Sequence, residues 1–234
     1  MPKGFFVTGT DTGVGKTIIA LALIRALEMS GLRAGAMKPI ESGCGREGEV
    51  LIPFDGMALK QGAHMDEPIT LITPCCFESP LAPYPASEIE MKKVSIPAIK
   101  SAFSRLSLNY EAMVVEGIGG LLVPIKKNYA IIDLAADLDL PLIVVTKPGL
   151  GTINHTLLTV NYALREGLSV AGVIINYSMP PENSLAEKTN AQLLEKICPV
   201  PVLGIFPHLK IISEETVENT TRQYLDLRPL QKYL

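Results

Sequence analysis

The chain has 234 residues, 47% of them hydrophobic and 19% charged, with no tryptophan, which is material for a single large core that needs no covalent staples. A net charge of -3 and a pI near 5.7, with no lysine-rich stripe, argue against nucleic-acid binding, and no apolar run approaches the ~18 residues of a membrane span. The four cysteines Cys44, Cys75, Cys76 and Cys198 have neither zinc-site spacing nor disulfide density, so reduced thiols and a cytoplasmic location are expected.

From Lys3 the chain passes, without a cleavage signal, into residues 4–8 (GFFVT), a short aromatic and β-branched run that reads as a buried strand. Residues 16–29 (KTIIALALIRALEM) are nearly all helix formers, apolar almost all round, and are stopped by Ser30 and Gly31. Residues 34–40 (AGAMKPI) read as a second strand, 41–53 as a polar loop with three glycines, and Asp55 as a possible cap of a short helix beginning at Gly56. Residues 69–77 (ITLITPCCF) read as a weak strand, 79–87 (SPLAPYPAS) as a proline-broken surface connection, and 94–108 as a helix entered near Pro97. Strands are then predicted over 112–115, ending at Glu116 and Gly117, and over 140–146, 168–176 and 200–205, with helices notably at 154–165 and 184–197. Continuous apolar strands alternating with helices predict one α/β domain with a mostly parallel central sheet of about seven strands, covered by helices on both faces.

The stretch GTDTGVGKT, Gly9 to Thr17, follows the first strand and opens the first helix, the setting of a phosphate-binding loop. Five residues instead of four separate Gly9 from Gly15, yet Gly13, Gly15, Lys16 and Thr17 keep their mutual spacing. The backbone N–H groups of Gly13, Val14, Gly15, Lys16, Thr17 and Ile18 would converge on phosphate at the positive end of a helix. Lys16 would neutralise its terminal oxygens, and the Thr17 hydroxyl would bind magnesium. Glu116, directly after an apolar strand, should face this loop from a neighbouring strand. Lys38 precedes Pro39 at a strand end and is either a surface lysine or one projected over the sheet edge. Partitioning-type ATPases open in the same way and offer a competing reading, a nucleotide switch acting through a protein partner. They carry a second lysine near the start of the loop, where this chain has Thr10, Asp11 and Thr12.

The loop is accompanied, in order, by MKPIESG (37–43), Asp55 before a short helix, FESPLAP (77–83), VVEGIGGLLVP (114–124), LGTINHTLLT (150–159), GVIIN (172–176) and LGIFPHL (203–209). In these blocks, which span nearly the whole chain, the sequence resembles the dethiobiotin synthetase family of P-loop NTPases. The resemblance implies an ATP-dependent ligase. It carboxylates 7,8-diaminopelargonic acid with carbon dioxide and closes the ureido ring through a carbamic-phosphoric anhydride, giving dethiobiotin, ADP and phosphate with Mg2+ as cofactor. It implies Lys16 and Lys38 as catalytic residues and Thr17, Asp55 and Glu116 as magnesium ligands. Asp55, Glu116, Gly117, Ile118 and Gly119 join the loop in binding ATP, Asn176 and Tyr177 lie at the adenine edge, and Pro207, His208, Leu209 and Glu214 flank base and ribose. Thr12, Ser42 and the helix start Leu150, Gly151, Thr152 and Asn154 are implied as substrate contacts, the helix start coming from the other subunit of a homodimer. Three features depart from the family pattern: Gly13 where several members are acidic, the 41–53 loop, and Lys147-Pro148-Gly149. His155 and His208 have no suitably spaced metal-ligand partners, and no serine lies on a G-x-S-x-G elbow.

Overall fold

The computed structural model of the chain describes residues 3–234. Its first half runs β1 (Lys3–Gly9), α1 (Lys16–Met29), β2 (Ala34–Met37), β3 (Ile40–Ser42), β4 (Gly45–Glu47), β5 (Val50–Ile52), α2 (Phe54–Gly62), α3 (Ile69–Ile72), β6 (Cys75–Phe77), α4 (Pro83–Ile89) and α5 (Ile96–Ser107). The second half runs β7 (Ala112–Glu116), β8 (Pro124–Lys126), β9 (Tyr129–Ala130), α6 (Ile131–Leu138), β10 (Leu142–Thr146), α7 (Thr152–Arg165), β11 (Val170–Asn176), α8 (Leu185–Ile197), β12 (Val202–Phe206) and α9 (Glu214–Tyr224), and a 3-10 helix spans Arg228–Tyr233.

Six of these strands form the main sheet in the order β12-β11-β10-β1-β7-β2, with every neighbouring pair parallel. Every residue of β7, β10 and β11 is buried. Successive side chains of a strand point to opposite faces, so both faces are covered. Phe5, Phe6, Val114, Val144 and Ile174 belong to one continuous core with Ile19, Leu23 and Leu27 of α1. Helix α1, apolar nearly all round, packs against α2, α9 and β7, which accounts for its lack of a polar face.

The predicted strand over 34–40 divides in two. Pro39 has no N–H to give the ladder, and the Lys38 N–H turns out to bond the Ile72 carbonyl at 3.0 Å. Beyond the break, β3 pairs in parallel with β6 as a separate two-stranded sheet. The predicted 69–77 strand is one helical turn, α3, followed by the short β6. The glycine-containing loop over 41–53 includes the antiparallel hairpin β4–β5, turned at Gly48 with φ 60°. The predicted connection over 79–87 carries α4, with Pro83 at its first position, where a missing N–H is no loss. Asp55 is not a cap: α2 begins at Phe54, and the Glu41 carboxylate caps it from β3, accepting the N–H groups of Asp55 and Gly56 at 2.9 Å each.

Candidate active site

The sheet order sets the site. β1 is flanked by β7 on one side and β10 on the other, and the chain reverses direction across the sheet there, so the carboxyl ends of these strands form the crevice where open α/β sheets bind ligands. The glycine-rich loop leaves β1 at this edge and enters α1 through Gly15, in left-handed conformation with φ 82°. A Cβ on Gly15 would lie 2.1 Å from Asn176 Nδ2, so conformation and space both require glycine. The parallel register sets Val7 level with Glu116 and Met37 level with Val115, which brings Lys38 and Glu116 together at the loop's base.

Four side chains meet there. The Thr17 hydroxyl lies 3.0 Å from Asp55 Oδ1 and 3.2 Å from Glu116 Oε1. Lys38, with 3% of its side chain exposed, pairs with Asp55 Oδ2 at 2.9 Å and with Glu116 Oε1. Burial pulls the Lys38 ammonium toward deprotonation, but the Glu116 and Asp55 carboxylates outweigh it and raise its pKa. Glu116 is 1% exposed, and burial raises its pKa against the pull of Lys38. Asp55 keeps a lowered pKa, because Lys38 and the Thr17 hydroxyl overcome its burial. Lys16, the remaining cation, is 7% exposed and is brought down to about 8 by burial and by Lys38. Its ammonium lies 3.5 Å from the Asp11 carbonyl.

Glu116 Oε2 is buried with no hydrogen-bond partner. A charged oxygen is rarely left so, and beside a hydroxyl and a second carboxylate it is a donor suited to a small hard cation. Among the described residues no group of three or more His, Cys, Asp or Glu is placed to hold a metal ion.

On the other side of the loop, Asn176 is 1% exposed and donates from Nδ2 to the Val14 carbonyl at 2.7 Å, leaving Oδ1 unpartnered. Asn176 is level with Phe206 across β11–β12, and the Tyr177 N–H bonds the Phe206 carbonyl, so Tyr177 and the half-buried Pro207, His208 and Leu209 leave adjacent strand ends. Glu214 lies at the start of α9, five residues beyond Leu209. Its carboxylate pairs with the buried Arg25 and lies 3.3 Å from His64, and Arg25 stands nine residues beyond Lys16, ~13 Å along α1.

Gly117, Ile118 and Gly119 turn away from β7, and Gly120 passes so close to the loop that a Cβ would meet the Gly9 carbonyl at 3.0 Å. A cleft of about 610 Å3 opens between Thr10–Thr12, residues 119–124 and Leu158, Thr159 and Tyr162 of α7. Thr12 lines it, Ser42 is half-buried at the end of β3, and Leu150, Gly151 and Asn154 are exposed at the start of α7, with Thr152 buried. Helix α7 starts at Thr152, two residues before the expected position.

Sequence reasoning missed several supports. Ser178 donates to the Gly13 carbonyl at 2.9 Å. Thr146 hydrogen-bonds Thr152 at 2.7 Å and Thr156 at 2.9 Å, and Thr10 at 3.1 Å, joining the loop to α7 through buried hydroxyls.

A parallel sheet whose central strand feeds a glycine-rich loop into a helix at Lys-Thr, faced by a buried acid from the next strand, defines the chain as a P-loop nucleotide-binding α/β protein. Two solved structures share this fold. The septum site-determining protein MinD complexed with Mg-ADP from Pyrococcus horikoshii OT3 is 16% identical, with TM-score 0.55, over 98% of this chain and 89% of that one. A ParA family ATPase from Chlorobium tepidum TLS is 14% identical, with TM-score 0.52, over 99% and 96%. The family model described as an AAA domain matches residues 3–216. The ATP-dependent dethiobiotin synthetase BioD of Thermodesulfovibrio yellowstonii is 46% identical over 98% of this chain and 99% of its own length. That of Bacillus subtilis strain 168 is 41% identical over 96% of each. The chain belongs to the dethiobiotin synthetase family.

Proposed function

We propose that the chain carboxylates a vicinal diamine, 7,8-diaminopelargonic acid, with carbon dioxide and closes the cyclic urea at the expense of ATP. The observation that carries the catalytic assignment is the cluster of Thr17, Lys38, Asp55 and Glu116 at the foot of the loop, with Glu116 Oε2 buried and unpaired.

The diamine captures carbon dioxide as a carbamate, whose oxygen takes the terminal phosphoryl group of ATP, and the second amine then displaces phosphate to close the ring. Each step crowds negative oxygens together, so its catalysis is chiefly positioning and charge stabilisation. Lys16 and the N–H groups of residues 13–18 hold the β- and γ-phosphates, and Lys38, held between two carboxylates, steadies the carbamate and the transferred group. Thr17, Asp55 and Glu116 would hold Mg2+, which supplies Lewis-acid charge neutralisation when bound. Asn176, through its free Oδ1, and Tyr177 with Pro207, His208 and Leu209 accept the adenine and ribose. Glu214, at the start of α9, completes that wall on the ribose side.

Thr12 and Ser42 contact the diamine, and the start of α7 (Leu150, Gly151, Thr152, Asn154), the positive end of the helix, takes its tail carboxylate in the neighbouring subunit of a homodimer. The exposed Leu122, Leu150 and Leu158 near this cleft support such a partner. Among the described residues no helix is long and apolar enough to cross a membrane, and a cytoplasmic location suits the four free cysteines. The test is phosphate release from ATP, measured with and without bicarbonate and diamine. Release that requires both, with a cyclic urea as product, is expected; ATP hydrolysis indifferent to either refutes the proposal.

A further inference from the structure

We propose that Lys147 is a third phosphate-side cation of the reaction, exchanging Asp11 for the terminal phosphate of the bound triphosphate. This rests on the function proposed above.

The charge already at the site leaves room for it. Lys16 and Lys38 face Asp55 and Glu116, two ammonium groups against two carboxylates, so the pocket is close to neutral before a polyanion and a carbamate arrive. Lys38 is engaged by both carboxylates, and Lys16 is buried, with its ammonium 3.5 Å from the Asp11 carbonyl. The loop itself carries no other basic residue from Gly9 to Gly15.

Lys147 follows β10 directly, and β10 is the neighbour of β1 in the sheet, with Val145 level with Gly9. Its ammonium lies 3.5 Å from Asp11 Oδ2, and the Lys16 ammonium lies 3.5 Å from the carbonyl oxygen of the same residue. The two lysines therefore reach one loop residue, one from α1 and one from β10. The Lys147–Asp11 pair is loose and half exposed on both sides, 47% and 56%, so exchanging it for a phosphate oxygen costs little. Gly13, with no neighbour within 4 Å of a Cβ, adds no carboxylate to oppose the exchange.

The backbone that carries Lys147 is fixed. Thr146 is tied to Thr152 and Thr156, and Asn190 Nδ2 donates to both the Pro148 and Gly149 carbonyls at 2.9 Å. The root of the side chain is held while its arm is free to swing.

The experiment titrates a non-hydrolysable ATP analogue and ADP, each with magnesium, into the wild-type protein and the Lys147→Ala and Lys147→Arg variants. Lys147→Ala is expected to bind the triphosphate about tenfold more weakly with ADP affinity unchanged, and Lys147→Arg to stay near wild type. Equal losses for both nucleotides, or no loss for either, would overturn the role, because only a group that reaches the terminal phosphate separates them. Diamine-stimulated turnover of the wild type is measured in parallel. Its absence refutes the proposed function, whereas its presence without selective triphosphate loss in Lys147→Ala refutes this inference alone.

Discussion

Replacing Lys38 with methionine separates what the residue does for the fold from what it does for the reaction. Its ammonium is the shared partner of Asp55 and of the almost wholly buried Glu116. Breaking a buried pair by removing one partner costs about 3–5 kcal/mol. The half-exposed Asp55 keeps its water, and Glu116, already raised by burial, can relieve itself by taking a proton, so the lower end is expected. At about 2–4 °C per kcal/mol for a chain of this size, Lys38→Met should lower the Tm by roughly 6–12 °C in metal-free buffer. The pH dependence has a definite sign. Without Lys38 the folded-state pKa of Glu116 rises further, the folded protein binds more protons than the unfolded chain, and the deficit shrinks as pH is lowered toward about 5. The double variant Lys38→Met, Glu116→Gln removes the stranded charge and should recover most of the Tm. Turnover should behave differently: loss of a cation from developing oxygen charge costs about 10²–10³ in kcat, with ATP affinity little changed, and the double variant should not regain it. Near-wild-type kcat in Lys38→Met, or recovery of turnover with stability, would refute the assignment.

Thr17→Val and Glu116→Gln should each raise the magnesium concentration needed for half-maximal turnover, and unchanged magnesium titrations would remove them from the metal site. Gly15→Ala forces a Cβ to 2.1 Å from Asn176 Nδ2 at a φ of 82°, so ATP binding should fall by at least about tenfold with circular dichroism unchanged; normal affinity would contradict the close approach. Because Lys16 sits near 8 in the free site, ATP binding at pH 9 should take up a proton as phosphate restores the ammonium, and affinity should weaken as pH rises above about 8. Calorimetry in buffers of different ionisation enthalpy reads this directly, and zero uptake would refute it.

What the sequence made legible followed from local chemistry. Runs such as AMVVE, LIVVT and VAGVIIN can only be buried strands of a covered sheet, and GKT after such a strand marks its own anion site. Glu116 was foreseeable because it ends a buried strand, and the register confirms its place beside β1. Where non-local partners decided the outcome, sequence was silent. Nothing near Glu41 announces that its carboxylate caps a helix fourteen residues later, and so Asp55 looked like a cap. Glu214 finds Arg25 across 189 positions. The run over 34–40 breaks at Lys38, whose N–H bonds the Ile72 carbonyl of α3 instead of a ladder neighbour, and the main sheet accordingly has six strands, with β3 and β6 set apart.

The Glu41 staple has a consequence for how this region can change. Asp55 is moored from both ends, by Lys38 at its carboxylate and by Glu41 at its backbone, and the intervening hairpin is solvent-facing at Glu47, Gly48 and Glu49. Insertions or deletions at that tip leave the Asp55 carboxylate where it stands, so the hairpin is free to be lengthened or shortened during evolution or design without disturbing the cluster it adjoins in sequence.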